Sequence, residues 1–121
     1  MKLARVHYII YMLGFMLMAT SCGRQYKAEQ RVKAFVEENM EAASEMTGRD
    51  FADVGTTRHI SDSLIQVMRH RGAPGFKTGI SYAEPPKGDF LYLRMKYVMK
   101  GDTLQNTFYL DQEAQEVVAF K

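Results

Sequence analysis

The sequence predicts an α+β domain in which an antiparallel meander sheet of three to five strands is covered by a long amphipathic helix and a short second helix. Apolar residues recur every three or four positions from about Lys27 to Thr47, which is a helical period. From Asp89 to Asp111 apolar and polar residues alternate on both sides of Gly101-Asp102, as in a β-hairpin. A sheet with one apolar face has to be covered, and the first helix is the longest amphipathic element available.

The first helix has one apolar side and one acidic side. Glu37, Glu41 and Glu45 follow each other at intervals of four and predict a solvated face, on which like charges repel only weakly. Gly48 is suited to the position just after the helix, where a left-handed backbone favours glycine. The apolar side consists of Val32, Phe35, Val36, Met40, Ala43 and Met46.

A short strand and the second helix follow. The β-branched and aromatic residues between Phe51 and Arg58 predict a strand. Ser61 or Asp62 can cap the second helix, and Gly72 follows its last turn. The apolar side of this helix is formed by Leu64, Ile65, Val67 and Met68.

The rest of the predicted sheet comes from the C-terminal half of the chain. Residues 72–88 contain every proline of the sequence and predict a loop, with one short strand near Thr78 to Ala83. After the hairpin, a turn near Gln112 to Gln115 leads into a final strand, Glu116 to Phe120. Whether Val118 and Phe120 or Val117 and Ala119 face the core depends on the length of that turn.

The hairpin has a polar face that is a candidate ligand-contact surface. With Gly101-Asp102 as the central turn residues, Met95 lies opposite Phe108, and Arg94 lies opposite Tyr109. Aromatic and cationic side chains on an open sheet can bind a sugar or a peptide by stacking and cation–π contact. The same residues also form ordinary cross-strand pairs on a solvated face. The candidate contact residues are Tyr92, Arg94, Lys96 and Tyr109.

The N-terminus has the layout of a secretory signal. Lys2 and Arg5 precede an apolar run from Tyr8 to Met18, and the small residues Ala19, Thr20 and Ser21 come before Cys22. The run is too short for a membrane-spanning helix, which needs roughly 20 apolar residues.

The residues from Ala19 to Cys22 resemble the lipobox of bacterial lipoproteins, with Ser21 as the small residue before the cysteine. The resemblance implies that residues 1–21 are a cleaved signal peptide and that Cys22 is acylated, with palmitate-like chains that anchor the protein to a membrane. We expect residues 22–26 to be a tether and residues 27–121 to form a single domain. At fold level the element order resembles the helix-on-sheet rolls of cystatin-like and NTF2-like proteins, and also small lipoproteins of unknown function from Bacteroidota. No catalytic motif comes with that resemblance.

Composition argues against several classes of function. Removing Lys2 and Arg5 with the signal takes the 16 basic residues to 14, equal to the 14 acidic residues, so nucleic acid is not an expected partner. Cys22 is the only cysteine, and His59 and His70 have no metal-ligand spacing, so we expect no metal and no cofactor. Combinations of Ser, His and Asp can be chosen from the chain, but no nucleophile motif surrounds the serines.

A candidate anion-contact site lies at the end of the second helix. Arg69, His70 and Arg71 fall in its last turn and could act together with Arg58, His59 and Lys77 on a phosphate group. The alternative is structural, because cations at a helix C-terminus are stabilised by the helix dipole.

Three functions remain open from the sequence. The first is a non-enzymatic lipoprotein of the bacterial cell envelope that binds a partner protein or a glycan. The second is an accessory enzyme domain in which His59 or His70 and an acidic residue share a pocket between helix and sheet. The third is a cystatin-like inhibitor, for which the turns at Gly101-Asp102 and Gln112 to Gln115 must form one protruding edge. No acidic run follows Cys22, which favours a periplasm-facing location.

Overall fold

The computed structural model describes residues 23–121. The predicted signal peptide and the predicted lipid site at Cys22 lie outside the described residues. The described chain forms two helices and a five-stranded antiparallel sheet, which confirms the predicted α+β fold class. In chain order the elements are α1 (23–39), a short 3₁₀ helix (Ala43–Glu45), β1 (Thr47–Phe51), β2 (Gly55–Thr57), α2 (Asp62–Arg71), β3 (Phe90–Met99), β4 (Asp102–Leu110) and β5 (Val117–Phe120).

Strand β3 is the centre of the sheet. β1 and β2 both pair with one edge of β3, β4 pairs with the other edge, and β5 pairs with β4. β1 and β2 are therefore two halves of one edge strand. Between the pairs Phe51–Met95 and Gly55–Tyr92 this edge strand has three residues where β3 has two, which is the pattern of a β-bulge.

The β3–β4 hairpin turns at Lys100 and Gly101, not at Gly101 and Asp102. Both central residues have positive φ, 52° and 84°, which is the signature of a type I′ turn. Leu93 consequently pairs with Phe108, a register two residues away from the predicted one. Because side chains alternate with a period of two, this shift keeps every side chain on its predicted face.

Helix α1 packs on one face of the sheet through its apolar side. Phe35 lies at the centre of this contact, with its ring centroid 5.9 Å from Phe108, 5.6 Å from Phe120 and 5.9 Å from Tyr82. Buried residues of α1, β3, β4 and β5 form one continuous core on this face. Its members include Ala28, Val32, Val36, Leu91, Leu93, Met95, Leu110 and Val117.

Helix α2 packs on the opposite face, near the β5 edge. Ser61 caps it by accepting a hydrogen bond from the Leu64 amide, as predicted, and Gly72 with φ of 60° ends it. Ile65 and Met68 are buried against this face in a second cluster, whose sheet members are Phe90, Val118 and Ala119. With a helix on each side, all the residues of β5 are buried. Val117 and Phe120 belong to the first core and Val118 and Ala119 to the second, so neither of the two predicted pairs shares a face, because the pairing of β5 with β4 is irregular.

Helix α1 ends at residue 39, not near Thr47. The backbone after the helix pairs with the loop instead: the Lys77 amide donates to Asn39 O at 2.8 Å, and the Glu41 amide donates to Gly75 O at 3.0 Å. These bonds satisfy backbone groups that a longer helix would have paired internally. Glu41 and Glu45 therefore lie outside α1, and Gly48 lies within β1.

The strand predicted near Thr78 to Ala83 is absent from the described structure. This segment is held by side chains and one isolated bridge, between Met40 and Phe76, rather than by a ladder. Arg69 donates to Ala83 O at 2.7 Å and to Val118 O at 3.0 Å, which ties the loop to α2 and β5. Sequence alternation alone could not show that long-range contacts replace a strand here.

Residues 23–26, which were predicted to be part of a tether, belong to the folded domain. The chain is already helical at Gly23, the first described residue. The Gln25 side chain donates to Ala52 O at 3.0 Å and accepts from the Val54 amide at 2.6 Å. These are backbone groups of the β-bulge that the sheet ladder leaves free, so Gln25 fixes the first turns of α1 to the sheet.

The buried Tyr97 and the partly buried Tyr82 differ in how their hydroxyl groups are satisfied. Tyr97 donates to Asn106 Oδ1 at 2.6 Å, whereas the buried hydroxyl of Tyr82 has no hydrogen-bond partner in the described structure. Burial raises the pKa of Tyr97 above 10.0. Burial also raises the pKa of Tyr82, although the nearby Arg69 guanidinium opposes that shift.

We predict opposite effects for removing the two hydroxyl groups. Tyr97→Phe should lower the free energy of unfolding by about 1–3 kcal/mol, because Asn106 Oδ1 is left buried without its donor. Tyr82→Phe should leave it unchanged or raise it, because an unsatisfied polar group is removed. Urea unfolding at neutral pH measures both values, and equal losses in the two variants would contradict this assignment.

The raised pKa of Tyr97 also predicts how the free energy of unfolding depends on pH. A tyrosine whose pKa is raised by folding favours the protonated native state, so its contribution is complete below pH 10.0 and is lost as pH rises beyond it. Stability of the wild-type protein should therefore fall above that pH, and the fall should be smaller in Tyr97→Phe.

Candidate functional site

The open part of the sheet beside α2 forms the clearest candidate binding surface. Helix α2 covers only the β5 side of this face, and a groove with a volume of about 350 Å³ remains next to it. We call this surface the α2 groove. Its lining residues are Thr57, Ile60, Leu64, Val67, Met68, Arg71, Gly72, Tyr109, Phe120 and Lys121.

The wall of the α2 groove is made by apolar side chains that the fold does not use. Leu64 is 50% exposed and Val67 is 51% exposed, while Ile65 and Met68 of the same helix are buried. Leu64, Val67 and Arg71 are three and four residues apart, so they lie along one stripe of α2. Single exposed aliphatic residues are common, but here two neighbours line one concavity.

The floor and rim of the groove add an aromatic ring and positive charge. Tyr109 is half-buried and packs against the α2 cluster, and Lys121 Nζ lies 6.0 Å from the centroid of its ring. Arg71 stands on the α2 side of the groove. The arrangement fits a group that is apolar at one end and negatively charged at the other.

The structure places the predicted ligand-contact residues on one face, but with different partners. Tyr92 lies directly opposite Tyr109, and Arg94 lies opposite Thr107. The Tyr92 ring covers Gly55, where any side chain would collide with it, and the Arg94 guanidinium is 5.7 Å from the centroid of the Tyr92 ring. Tyr92 is thus engaged in cross-strand packing, whereas Tyr109 lines the α2 groove. Lys96 is exposed, and in the strand register it lies opposite Asp50 of β1.

The predicted anion-contact residues divide between two roles. The Arg69 guanidinium donates to two backbone carbonyls and lies 4.9 Å from the centroid of the Tyr82 ring, so it serves to hold the loop. His70 and Arg71 are exposed, and Arg71 alone of the three lines the α2 groove. An anion contact by all three side chains stays a prediction, and the geometry favours Arg71 as its carrier.

His59 has surroundings that bear on the enzyme hypothesis. It lines an open cleft together with Asp62 and Glu84, but its Nδ1 is 3.1 Å from Gly88 O. Within residues 23–121 no hydrogen bond joins the imidazole to a carboxylate, and no group of three His, Cys, Asp or Glu side chains could hold a metal ion. A backbone carbonyl thus holds the His59 ring, and within the described residues no carboxylate is hydrogen-bonded to it.

The geometry required by the inhibitor hypothesis is not formed. The two turns are at opposite ends of β4, because one precedes Asp102 and the other follows Leu110. Nine residues at about 3.3 Å each separate them by roughly 30 Å. They cannot form one protruding edge.

Charge is unevenly distributed along the described part of α1. Arg24, Lys27 and Arg31 are exposed in residues 23–31, whereas Glu37 and Glu38 are exposed near the C-terminal end of the helix. Acidic residues in the last turn of a helix are disfavoured by about 0.3–1 kcal/mol each. Helix α2 has the favourable order, with Asp62 in its first turn and cations in its last turn. The three exposed cations of residues 23–31 therefore form a basic patch on α1.

Sequence reasoning assigned the four apolar residues of α2 to one buried side and so missed the groove. At 100° per residue Leu64, Ile65, Val67 and Met68 span an arc of about 160°, wider than the roughly 100° stripe of a helix packed on one surface. The width of this arc could have shown that some of the four side chains face away from the sheet.

Comparison of the chain with protein-family models, with curated proteins and with solved structures gave no match. Among the helices of residues 23–121, none combines the length and the apolar character needed to cross a membrane. The fold and the site define the class: a small α+β domain with an open groove beside α2.

Proposed function

We propose that this protein is a bacterial envelope lipoprotein, anchored through Cys22, whose domain is a non-catalytic binding module for a partner protein. The α2 groove is its binding surface. The observation that carries this proposal is the pair Leu64 and Val67, which are half exposed beside Tyr109 in an open groove.

The chemistry of the groove supports a partner with an apolar side chain next to an acidic group. The apolar group would enter between α2 and Tyr109, and the acidic group would meet Arg71 or Lys121 at the rim. Apolar area and charge pairing in this arrangement are typical of a protein interface, with apolar residues at the centre and charge at the edge. A glycan is favoured less, because the Tyr92 ring that could stack on a sugar covers Gly55.

A non-catalytic role is also supported by the positions of the titratable groups whose pKa is shifted. The tyrosines with raised pKa, Tyr82 and Tyr97, do not line the α2 groove. Perturbed titratable groups that converge in a pocket are a common mark of an active site. The groove lacks that convergence among the described residues.

The anchoring part of the proposal predicts a defined mass. The intact protein from the membrane fraction should lack residues 1–21 and carry acyl chains on Cys22, because two or three chains are what stable anchoring requires. A Cys22→Ala variant in the same cells should carry none. An unprocessed or unacylated wild-type chain would contradict the anchoring.

The binding part predicts a site-specific cross-link in cells. A photo-reactive residue at Val67 should give one discrete adduct, and the same residue at the neighbouring exposed Gln66, which faces away from the groove, should not. Adding Leu64→Asp should abolish the adduct, because it places an acidic group where we expect an apolar one. Ser63→Asp, exposed on the same helix, is the matched charge control and should leave the adduct intact.

Several outcomes would contradict the binding role of the groove. These are equal adducts at Val67 and Gln66, an adduct that survives Leu64→Asp, or no adduct at Val67. Thermal unfolding of each variant is the folding control. The Leu64→Asp protein should unfold near the temperature of the wild-type protein, since Leu64 is half exposed in the folded domain.

A further inference from the structure

Residues 24–31 of α1 present an exposed basic surface, of whose cations Arg24 alone donates a hydrogen bond within the described residues, to Gln112 O at 3.5 Å. We propose that this surface lies against the anionic headgroups of the membrane in which Cys22 is anchored and holds the domain in one orientation. The inference rests on the proposed anchoring. We call the surface the α1 basic surface, and it consists of Arg24, Tyr26, Lys27 and Arg31.

The short distance to the anchor is the first argument. Cys22 precedes Gly23 by one peptide bond, and Gly23 is already helical. Gln25 binds the backbone of the β-bulge, so the first turns of α1 cannot swing away from the sheet as a flexible tether would. At 1.5 Å per residue, Arg31 lies about 12 Å along the helix from Gly23. That is close to the distance over which a charged membrane surface acts at physiological salt, about 8 Å to 10 Å.

The charge of the surface is the second argument. Lys27 and Arg31 are four residues apart, so they repel each other. The salt bridge found among residues 23–121, Arg49 to Glu37, involves neither of them. An anionic surface would relieve this repulsion. Clustered Lys and Arg next to a membrane attachment point are a known basis for binding anionic lipids.

The position of Tyr26 is the third argument. Its side chain is 65% exposed, the largest exposed fraction among the large apolar and aromatic residues of the described chain. Tyrosine is enriched at the level of lipid headgroups, where its ring and hydroxyl meet apolar and wet surroundings. Lys33 lies about two turns further along the same side of α1 as Tyr26, and its Nζ is 5.6 Å from the centroid of the Phe51 ring, so this cation already has a contact in the fold.

The test uses the full chain, processed in cells, purified from membranes and reconstituted into phosphatidylcholine vesicles with or without phosphatidylglycerol. Gln30→Cys and Thr103→Cys provide single labelling positions in the acylated protein. Gln30 is exposed on α1, and Thr103 lies at the far end of β4 from the Arg24 contact with Gln112 O. A fluorophore at each thiol reports its distance from a quencher carried on the lipid headgroups.

We expect stronger quenching at Gln30 than at Thr103 in vesicles that contain phosphatidylglycerol. The excess should fall without that lipid and at high salt. Lys27→Glu with Arg31→Glu should remove more than about half of it, because two of the three cations become anions. Lys77→Glu with Lys96→Glu gives the same change of net charge at exposed positions outside the surface and should leave the excess in place.

The intact mass of the same samples separates the two proposals. An acylated protein with equal quenching at both positions, or with quenching indifferent to phosphatidylglycerol and to the charge reversal, overturns the orientation while the anchor stands. A protein without acyl chains overturns the anchoring and this inference with it.

Discussion

The structure depends on the packing of Phe35 against aromatic side chains from the sheet and the long loop. Its ring lies between 5.6 Å and 6.5 Å, centroid to centroid, from those of Phe76, Tyr82, Phe108 and Phe120. One residue of α1 thereby joins the helix to β4, to β5 and to a loop that has no strand of its own. A buried aromatic residue contributes large apolar area as well as favourable ring contacts, so this cluster sets where α1 crosses the sheet.

The two helices determine which surfaces of the sheet stay open. The long α1 packs on one face, and the short α2 packs on part of the other. The α2 groove lies beside α2 on that second face. Charge is also unevenly distributed in a domain with equal numbers of acids and bases: cations lie on the first turns of α1 and at the rim of the groove, and acids lie near the end of α1. Two surfaces of positive charge therefore coexist with a neutral total.

Local sequence rules predicted the elements whose determinants are close together in the chain. The Ser61 cap, the end of α2 at Gly72 and the two faces of the hairpin were all predicted. The register was wrong by two residues because glycine is acceptable at either central position of a two-residue turn, with type I′ and type II′ as the alternatives. The end of α1 was wrong for a long-range reason, since Asn39 and Glu41 pair with a loop more than thirty residues later.

The same distinction between local and long-range determinants applies to the residues of the candidate site. Tyr109 was predicted because alternation shows which strand residues share a face, and it lines the groove. The exposure of Leu64 and Val67 was not predicted, because it depends on how little of the sheet α2 covers. The role of Arg69 was also hidden from the sequence, since its hydrogen-bond acceptors belong to Ala83 and to Val118 in β5.

The most direct test of the central claim, that residues 23–26 are part of the folded domain, is amide hydrogen exchange in the first described turns of α1. In the wild-type protein and in the exposed-site control Gln30→Ala, the amides of residues 27–30 should exchange slowly. In Gln25→Ala they should exchange faster, together with the Val54 amide, because the side chain that binds the β-bulge is lost. Exchange of residues 27–30 in the wild-type protein at the rate of an unstructured peptide would contradict the account, since the domain would then hang on a flexible tether.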